Sequence, residues 1–257
     1  MNASELIDIV PFIQERAPAM GRSKVQELYD ACSTVFSGKE GFPTLKQIRW
    51  LREILDDMEP ADVGIDGSRS PVDEPKIASR GGLILGQALT QMTYVHIHEC
   101  DDFSMGVFCF PAGAKLPLHD HPGMVVLSKV LYGSVSVRSY DWFITPSSRP
   151  RKGGLVKVEA DDVVLQAQSK ASVLFPRSGG NIHSFTALTP CAILDVLAPP
   201  YSDELGRPCT YFSETPIPSL SGFSILEEID LPEDLVVAGA PYLGPELILD
   251  PDFDGLY

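Results

Sequence analysis

Five histidines are the side chains of this 257-residue chain best suited to binding a metal, and all lie between positions 96 and 183. Four of them form two pairs with the spacing His-x-His. In a β-strand, residues i and i+2 point to the same face, so such a pair can direct two imidazole rings at one ion. The sequence therefore offers two candidate half-sites, His96 with His98 and His119 with His121.

The first pair lies in MTYVHIHE, where two sets of residues alternate. Thr93, Val95 and Ile97 form the more apolar set, and Tyr94 shares the polar set with the two histidines. Alternation of this kind is typical of a strand with one solvated face. We therefore expect His96 and His98 to lie on a solvated face and not to bind metal.

The second pair lies in GAKLPLHDHPGMVVLSKVLYG, a segment similar to the first motif of cupins. That motif has a glycine before the two histidines, a glutamate after them and a second glycine at its end. Gly113 and Gly133 stand at the two glycine places. Val126 stands where the glutamate ligand is usual, so the motif supplies two histidines and no carboxylate.

The second cupin motif supplies one more histidine from a later strand. The segment FPRSGGNIHSFTAL provides His183, with Gly180 three residues before it as the motif requires. It departs from the motif at Ser178, where proline is usual, and at Ala187, where asparagine is usual. Because two histidines are already in place, we interpret His183 as the third metal ligand.

A site of three histidines leaves the charge of a divalent ion uncompensated, and it therefore favours an anionic ligand such as thiolate. An octahedral Fe(II) held by three protein nitrogens keeps three positions open, enough for an aminothiol and dioxygen. Addition of two oxygen atoms to a thiol gives a sulfinic acid. The residues thus predict an Fe(II)-dependent thiol dioxygenase.

Such a site needs short β-strands to bring the three histidines together. The sequence after Gly82 has the pattern of short strands. About ten short apolar or alternating runs, divided by turn residues, predict an all-β cupin barrel, also described as a double-stranded β-helix or jelly roll. Nine of these runs are Thr93–Glu99, Gly106–Phe110, Met124–Leu131, Ser134–Tyr140, Leu155–Glu159, Val163–Ala167, Ser172–Phe175, Ile182–Leu188 and Cys191–Leu197.

Two amphipathic helices are predicted ahead of the barrel. Apolar residues recur at helical spacing between Ser23 and Phe36. Thr44 and Gln47 then form a capping-box pattern, from which an apolar face continues to Met58.

Turn-forming composition marks the ends of the barrel. We expect a helical extension and linker at residues 1–82, a thiol dioxygenase barrel at 83–215, and a strap or tail at 216–257. The last region is rich in Pro, Glu, Asp and Leu, which predicts an irregular strap over the barrel or partial disorder.

Charge and cysteine content exclude several classes of function. Lys and Arg number 20 against 35 Asp and Glu, and the net charge of −15 disfavours direct binding of nucleic acid. The five cysteines are scattered, which argues against a disulfide framework or a zinc ribbon. The N-terminus lacks a signal-peptide pattern, and no run of 18 apolar residues occurs. We expect an intracellular monomer, cytoplasmic or nuclear, with no membrane partner.

Segments around the candidate ligands resemble the plant cysteine oxidases, relatives of the animal cysteamine (2-aminoethanethiol) dioxygenase. The similarity spans about residues 33–212 and includes the N-terminal segment FPTLKQIRWLREILDDM. The other segments that carry it are PLHDHPGMVVLSKVLYGSVSVRSYDW, FPRSGGNIHSF, CAILDVLAPPY and GRPCTYF.

The resemblance implies that His119, His121 and His183 bind Fe(II), with O2 as co-substrate and no other cofactor. It also implies that the substrates are Cys-initiating protein N-termini, notably those of group VII ethylene-response factors, which are oxidised to cysteine sulfinic acid. In plants this oxidation directs the substrate into the N-degron pathway, and the family therefore acts as an oxygen sensor in hypoxia.

Four further residues are candidate catalytic side chains. Alternation places Ile193, Asp195 and Leu197 on one face of a strand. If that face is inward, the Asp195 carboxylate could bind a ligand imidazole or the substrate ammonium; on an edge strand it would be solvated. The resemblance places Tyr201 near the iron, although it could equally cap the barrel. Cys209 and Tyr211 match the Cys-x-Tyr pattern that carries a thioether crosslink in the animal enzyme, and Cys209 could instead simply line the pocket.

Three alternatives to an N-terminal cysteine dioxygenase stay open on the sequence. A dioxygenase of free cysteamine would use the same site in a more closed cavity. A non-catalytic cupin would carry the histidines as vestiges, and such proteins typically lack at least one ligand. A metal-dependent isomerase usually keeps the glutamate that Val126 replaces.

Overall fold

Two β-sheets form the framework of the computed structural model, which describes residues 22–38, 41–66, 83–84, 91–143 and 153–249. Two helices and a 3-10 turn at Pro60–Val63 precede most of the strands. The elements are α1 (Lys24–Phe36), α2 (Leu45–Asp56), β1 (Ile65–Asp66), β2 (Leu83–Ile84), β3 (Met92–Glu99), β4 (Ser104–Phe110), β5 (Lys115–His119), β6 (Val125–Tyr132), β7 (Ser134–Trp142), β8 (Gly154–Gln166), β9 (Ser172–Leu174), β10 (Ile182–Ala187), β11 (Cys191–Ala198), β12 (Tyr211–Pro216), β13 (Phe223–Ile229) and β14 (Val237–Ala240).

The two helices of the predicted N-terminal extension are confirmed. Residues 1–21 and 67–82 of the predicted extension and linker lie outside the described residues. Helix α1 begins after Ser23, whose side chain accepts a hydrogen bond from the backbone N–H of Gln26 at 3.3 Å. Helix α2 begins after Thr44, and the capping box with Gln47 is complete in both directions. Such reciprocal hydrogen bonds satisfy amide groups that the first turn of a helix leaves unpaired.

The strands form the predicted cupin-type barrel. Strands β10, β5, β12, β13, β8 and β7 close into a ring, and a six-stranded sheet has the order β14-β3-β4-β11-β6-β9. In the six-stranded sheet every neighbouring pair is antiparallel except β14 with β3. A small parallel pair, β1 with β2, lies outside both.

Alternation along β11 separates two cores. Ala192, Leu194 and Val196 pack in one cluster with apolar residues of α1 and α2, so this face of the six-stranded sheet is covered by the helices. Asp195 and Leu197 point to the other face and line the interior. This two-residue period is that predicted from the sequence, and it brings a carboxylate into the barrel.

The pair His96 and His98 differs from expectation. A register shift in the pairing of β3 with β4 falls between the two residues, so they no longer share a face. His96 is exposed as expected, but His98 is buried, with its ring centroid 4.9 Å from that of Tyr29 and 5.2 Å from that of Phe103. The prediction of a solvated face was therefore wrong for His98.

The C-terminal region also differs from the predicted irregular strap. Strand β13 closes the barrel between β12 and β8, and β14 extends the six-stranded sheet along β3. Barrel strands thus continue beyond residue 215. The sequence obscures them because β13 ends in acidic residues and buries only Ser224 and Leu226, while β14 has just four residues.

The sequence pattern predicted two strands where the structure has one. The runs predicted at Leu155–Glu159 and Val163–Ala167 belong to the single strand β8, which contains an irregularity instead of a turn. Asp162 adopts a left-handed conformation there with φ of 53°, and the pairing with β7 shifts register nearby. Asp and Asn tolerate this conformation better than other side chains, which explains a bulge at this position.

No helix in the described part of the chain has the length and apolar character needed to cross a membrane.

Candidate metal centre

Three histidines converge inside the barrel. His119 ends β5, His121 follows two residues later, and His183 lies in β10 directly across from His119. The ring centroids lie 4.5 to 4.9 Å apart. One ligand nitrogen from each ring lies within 4.8 Å of the others, and all three residues are buried. The structure thus brings together the three predicted metal ligands.

Backbone carbonyl groups fix the orientation of two of these rings. The Nδ1 atom of His119 lies 2.8 Å from the carbonyl oxygen of Pro117, and Nδ1 of His121 lies 2.8 Å from that of Asn181. Because a carbonyl oxygen only accepts, Nδ1 must donate in each ring. The lone pair is then on Nε2, which is the usual arrangement for a metal-binding histidine.

The electrostatic surroundings keep the three imidazoles neutral. Burial lowers the pKa of His119 to about 4, and burial together with the charge of His119 lowers the pKa of His121 to about 3. Burial and the two neighbouring histidines also place the pKa of His183 well below its ordinary value. Neutral imidazole is the form that binds metal, so the site is prepared for an ion near neutral pH.

Asn181 and Asp141 form a supporting network that the sequence did not predict. Asn181 donates from Nδ2 to the carbonyl oxygen of His121 at 2.9 Å and accepts from the backbone N–H of His121 at 3.2 Å. The carboxylate of Asp141 accepts the backbone N–H groups of Gly180 and Asn181 at 2.9 to 3.1 Å. This buried network ties the loop before His183 to the loop that carries His121.

Gly180 makes the close approach of these loops possible. Its φ is +82°, and a Cβ atom added there would lie 2.4 Å from Oγ of Ser139. A side chain at this position is therefore excluded both by backbone conformation and by space. The glycine required by the second cupin motif has its explanation in this contact.

Tyr201 and Thr210 hold the loop between the first two histidines. The hydroxyl group of Tyr201 donates to the carbonyl oxygen of Asp120 at 2.7 Å. Asp120 also exchanges two hydrogen bonds with the backbone of Thr210, at 3.0 and 3.1 Å. The ring centroid of Tyr201 lies 5.8 Å from that of His121. Tyr201 thus lies next to the three-histidine cluster, and its hydroxyl group contacts the backbone of the His-x-His loop.

All seven predicted site residues line one cavity of about 540 Å³. Besides the three histidines, they are Asp195, Tyr201, Cys209 and Tyr211. Val126 lines the same cavity, so the side chain at the place of the usual glutamate ligand faces the site without offering a carboxylate. Strand β14 forms part of the wall through Val237, Ala238 and Gly239.

Asp195 is a buried carboxylate on this wall. Its Oδ1 atom has no hydrogen-bond partner among the described residues. Burial raises the pKa of Asp195 to about 7, and the neighbouring Ser128 hydroxyl offsets only part of this effect. A buried carboxylate oxygen without a partner is costly, so Asp195 is suited to accept a cationic or hydrogen-bond-donating group in the cavity.

Cys209 and Tyr211 lie beside His119. Tyr211 pairs with His119 across β12 and β5, and the ring centroids are 6.4 Å apart. Burial raises the pKa of the Cys209 thiol, and the neighbouring hydroxyl groups of Tyr211 and Tyr201 offset part of this effect. The Cys209 thiol is thus neutral, and with Tyr201 and Tyr211 it forms a small polar cluster beside the three histidines.

The donor set fits a divalent first-row metal. The site offers three neutral imidazole nitrogens, from two adjacent strands and a loop, and such ions commonly bind three protein ligands on one side. The remaining coordination positions of the ion would stay free for ligands from the cavity. The hydrogen bonds of His119 and His121 to carbonyl groups add the outer contacts that metal sites require.

Comparison with known proteins gives a consistent match. The family model PCO_ADO matches residues 54–247. Plant cysteine oxidase 1 and plant cysteine oxidase 2 of Arabidopsis thaliana are 42% and 40% identical to this chain; the alignments cover 90% and 91% of it, and 83% and 87% of those proteins. The 2-aminoethanethiol dioxygenase of Mus musculus is 33% identical over 81% of this chain and 87% of that protein.

Proposed function

Because the chain belongs to the PCO_ADO family and is therefore a cysteine dioxygenase of the plant cysteine oxidase type, we propose that it uses Fe(II) to convert the N-terminal cysteine of proteins into cysteine sulfinic acid. His119, His121 and His183 would hold the iron. The observation that carries this proposal is the neutral three-histidine cluster beside a buried carboxylate, Asp195, in one cavity.

The charge of the cavity favours an N-terminal ammonium group. Among the described residues that line it, Asp195 and Glu99 are acidic and none is Lys or Arg. A cation can pair with the Oδ1 atom of Asp195 that otherwise has no partner. We assign Asp195 the role of binding the α-ammonium group, which would place the adjacent cysteine side chain toward the histidines.

The reaction adds both atoms of O2 to sulfur, so that a thiolate R–S⁻ and O2 give R–SO2⁻. A bound Fe(II) supplies the redox chemistry of this step. The chain itself positions the reactants: Tyr201 holds the His-x-His loop through Asp120, and Cys209 with Tyr211 forms the wall beside His119. The buried surroundings also limit access of bulk water to the reacting sulfur.

The size of the cavity favours a peptide over a free aminothiol. About 540 Å³ lies within the range of roughly 300 to 1,000 Å³ typical of pockets for drug-sized ligands, which is more than cysteamine requires. Strand β14 forms part of the cavity wall and is an outer strand of the six-stranded sheet. The rest of a peptide substrate can therefore leave the cavity at this edge.

We further propose that the reaction reports oxygen in the hypoxia response. A dioxygenase whose product is read by the N-degron pathway couples the lifetime of its substrate to O2. Group VII ethylene-response factors are the candidate substrates, in agreement with the resemblance to plant cysteine oxidases, and they would meet the enzyme in the cytoplasm or the nucleus.

Mass spectrometry of two candidate substrates tests this function. The Fe(II)-loaded protein is incubated in air with a Cys-initiating peptide, with the same peptide N-acetylated, and with cysteamine. We expect a gain of about 32 Da, two oxygen atoms, on the free peptide, and little on the acetylated peptide because it lacks the ammonium group. Preference for cysteamine would instead favour a small-thiol dioxygenase. If neither the peptide nor cysteamine gains oxygen while iron is bound, both proposed dioxygenase functions are refuted.

A further inference from the structure

A second cavity reaches the histidines from another edge of the fold. It has a volume of about 270 Å³ and lies among β7, β8 and β9. Strand β9 is one outer strand of the six-stranded sheet, whereas β14, which lines the main cavity, is the other. The two cavities therefore approach the metal centre from opposite edges of this sheet.

The two cavities share one wall. Val126, Ser128, His183 and Phe185 line both of them. His183 is one of the candidate metal ligands, so the second cavity reaches one residue of the candidate metal centre.

Val126 is central to this wall. It is 2% exposed, and in the sheet it pairs with Leu174 of β9 on one side and Leu197 of β11 on the other. Leu174 lines the second cavity and Leu197 lines the main one. A glutamate at this position would place a carboxylate in the shared wall, whereas valine presents only methyl groups there.

The lining of the second cavity carries little charge and is apolar over just over half of its residues. Val137, Val163, Leu165 and Phe185 are among its aliphatic and aromatic side chains. Its polar side chains are Ser128, Ser139, Ser172, Glu159 and His183, and among the described residues of the lining none is Lys or Arg. Apolar stretches of a cavity wall favour gases and small hydrophobic molecules over water.

We propose that the second cavity is the entry route for dioxygen, separate from the route of the thiol substrate. This inference rests on the proposed dioxygenase function and extends it. A peptide that fills the main cavity would obstruct the β14 edge, but O2 could still reach the histidines from the β9 edge past Val126. The enzyme could then respond to O2 with its peptide already bound.

Adjacent valines in β8 provide a matched test. Val163 and Val164 are 46% and 48% exposed, and only Val163 lines the second cavity. Tryptophan at position 163 can fill much of the cavity, whereas at position 164 it points to the other face of the strand. Three proteins are compared, namely the unmodified chain, Val163→Trp and Val164→Trp, each loaded with Fe(II).

The measurements are the KM for O2 at saturating peptide, the KM for peptide in excess O2, and the rate at which nitric oxide binds Fe(II) in stopped flow. We expect Val163→Trp to raise the KM for O2 and to slow nitric oxide binding by roughly threefold to tenfold, with the peptide KM unchanged. Val164→Trp should match the unmodified chain. Equal values for all three proteins would overturn the proposal.

Xenon binding provides a readout that needs neither iron nor turnover. Crystals of the unmodified chain under xenon pressure should show xenon in the second cavity, and Val163→Trp should abolish it. A cavity that holds only ordered water would contradict the proposal. If circular dichroism shows that Val163→Trp does not fold, Ala160→Leu takes its place, since Ala160 lines the same cavity. Failure of the dioxygenase function itself would appear separately, as absence of sulfinic acid with the unmodified chain.

Discussion

Replacement of Asp195 by Asn should stabilise the metal-free protein while weakening its substrate binding. Asp195 is 8% exposed, and its Oδ1 atom has no partner among the described residues. Burial of an ionised carboxylate without full pairing opposes folding. Asn has nearly the same shape and carries no charge, so the substitution removes this cost and with it the proposed contact to the α-ammonium group.

The pKa of Asp195 sets the size and the pH dependence of the effect. Burial raises it from 3.8 to about 7. Below pH 3.8 the carboxyl group is neutral in both folded and unfolded protein, so the cost is absent there. It grows as pH rises and is complete above pH 7. At about 1.4 kcal/mol per pKa unit, Asp195→Asn should raise the free energy of unfolding by up to about 2 kcal/mol at pH 5 and up to about 4 kcal/mol at pH 8.

Urea unfolding of metal-free protein at pH 5 and pH 8 measures this directly. Metal-free protein is needed because a cation on the histidines would favour the ionised carboxylate. Asp141 supplies the matched control, since it is also 8% exposed but accepts backbone N–H groups of Gly180 and Asn181. Asp141→Asn should therefore destabilise the protein, by about 1 to 3 kcal/mol.

The same variant has an opposite effect on function. Loss of a charge-assisted hydrogen bond of about 1.5 to 3 kcal/mol should raise the KM of Fe(II)-loaded Asp195→Asn for a Cys-initiating peptide by roughly 10- to 150-fold. If Asp195→Asn is less stable than the unmodified chain at pH 8, or gains equally at both pH values, the account of the buried carboxylate is incorrect. An unchanged KM would remove its role in substrate binding.

Three further variants test the metal centre. Asn181→Ala should lower iron affinity by roughly 10- to 100-fold in a metal titration, because it releases the loop that carries His121; unchanged affinity would show the network to be unimportant. Val126→Glu should retain iron but reduce thiol oxidation by about tenfold or more, since an added carboxylate lessens the preference for thiolate, and undiminished turnover would contradict this. Tyr201→Phe should reduce iron occupancy in step with kcat if its hydroxyl group acts by positioning Asp120, whereas a fall in kcat at full occupancy would indicate a direct catalytic role.

Local spacing was sufficient to predict which three histidines converge. The three histidines were found from motif positions, and their convergence in the structure agrees with that prediction. Alternation with a period of two left Asp195 either inward or solvated, and the structure places it in the cavity wall. Such inferences succeed where neighbouring residues determine geometry.

Features that depend on distant contacts or on irregular backbone were missed. The register shift beside His98 breaks the period on which its prediction relied. Asp141 and Asn181 are 40 residues apart, and only the folded barrel brings them together. Their signal in the sequence was slight: an acidic residue in the apolar run before Trp142, and an amide two residues before His183.

The central claim is that the three histidines hold an iron that inserts both atoms of one O2 into an N-terminal cysteine. It is tested most directly by mass spectrometry of a Cys-initiating peptide oxidised under a mixture of ¹⁶O2 and ¹⁸O2, with the Fe(II)-loaded chain and with His183→Ala. We predict products heavier by about 32 and 36 Da with little at 34 Da, and loss of both product and bound iron in the variant. A dominant mixed-isotope product, or full activity of His183→Ala, would contradict the account.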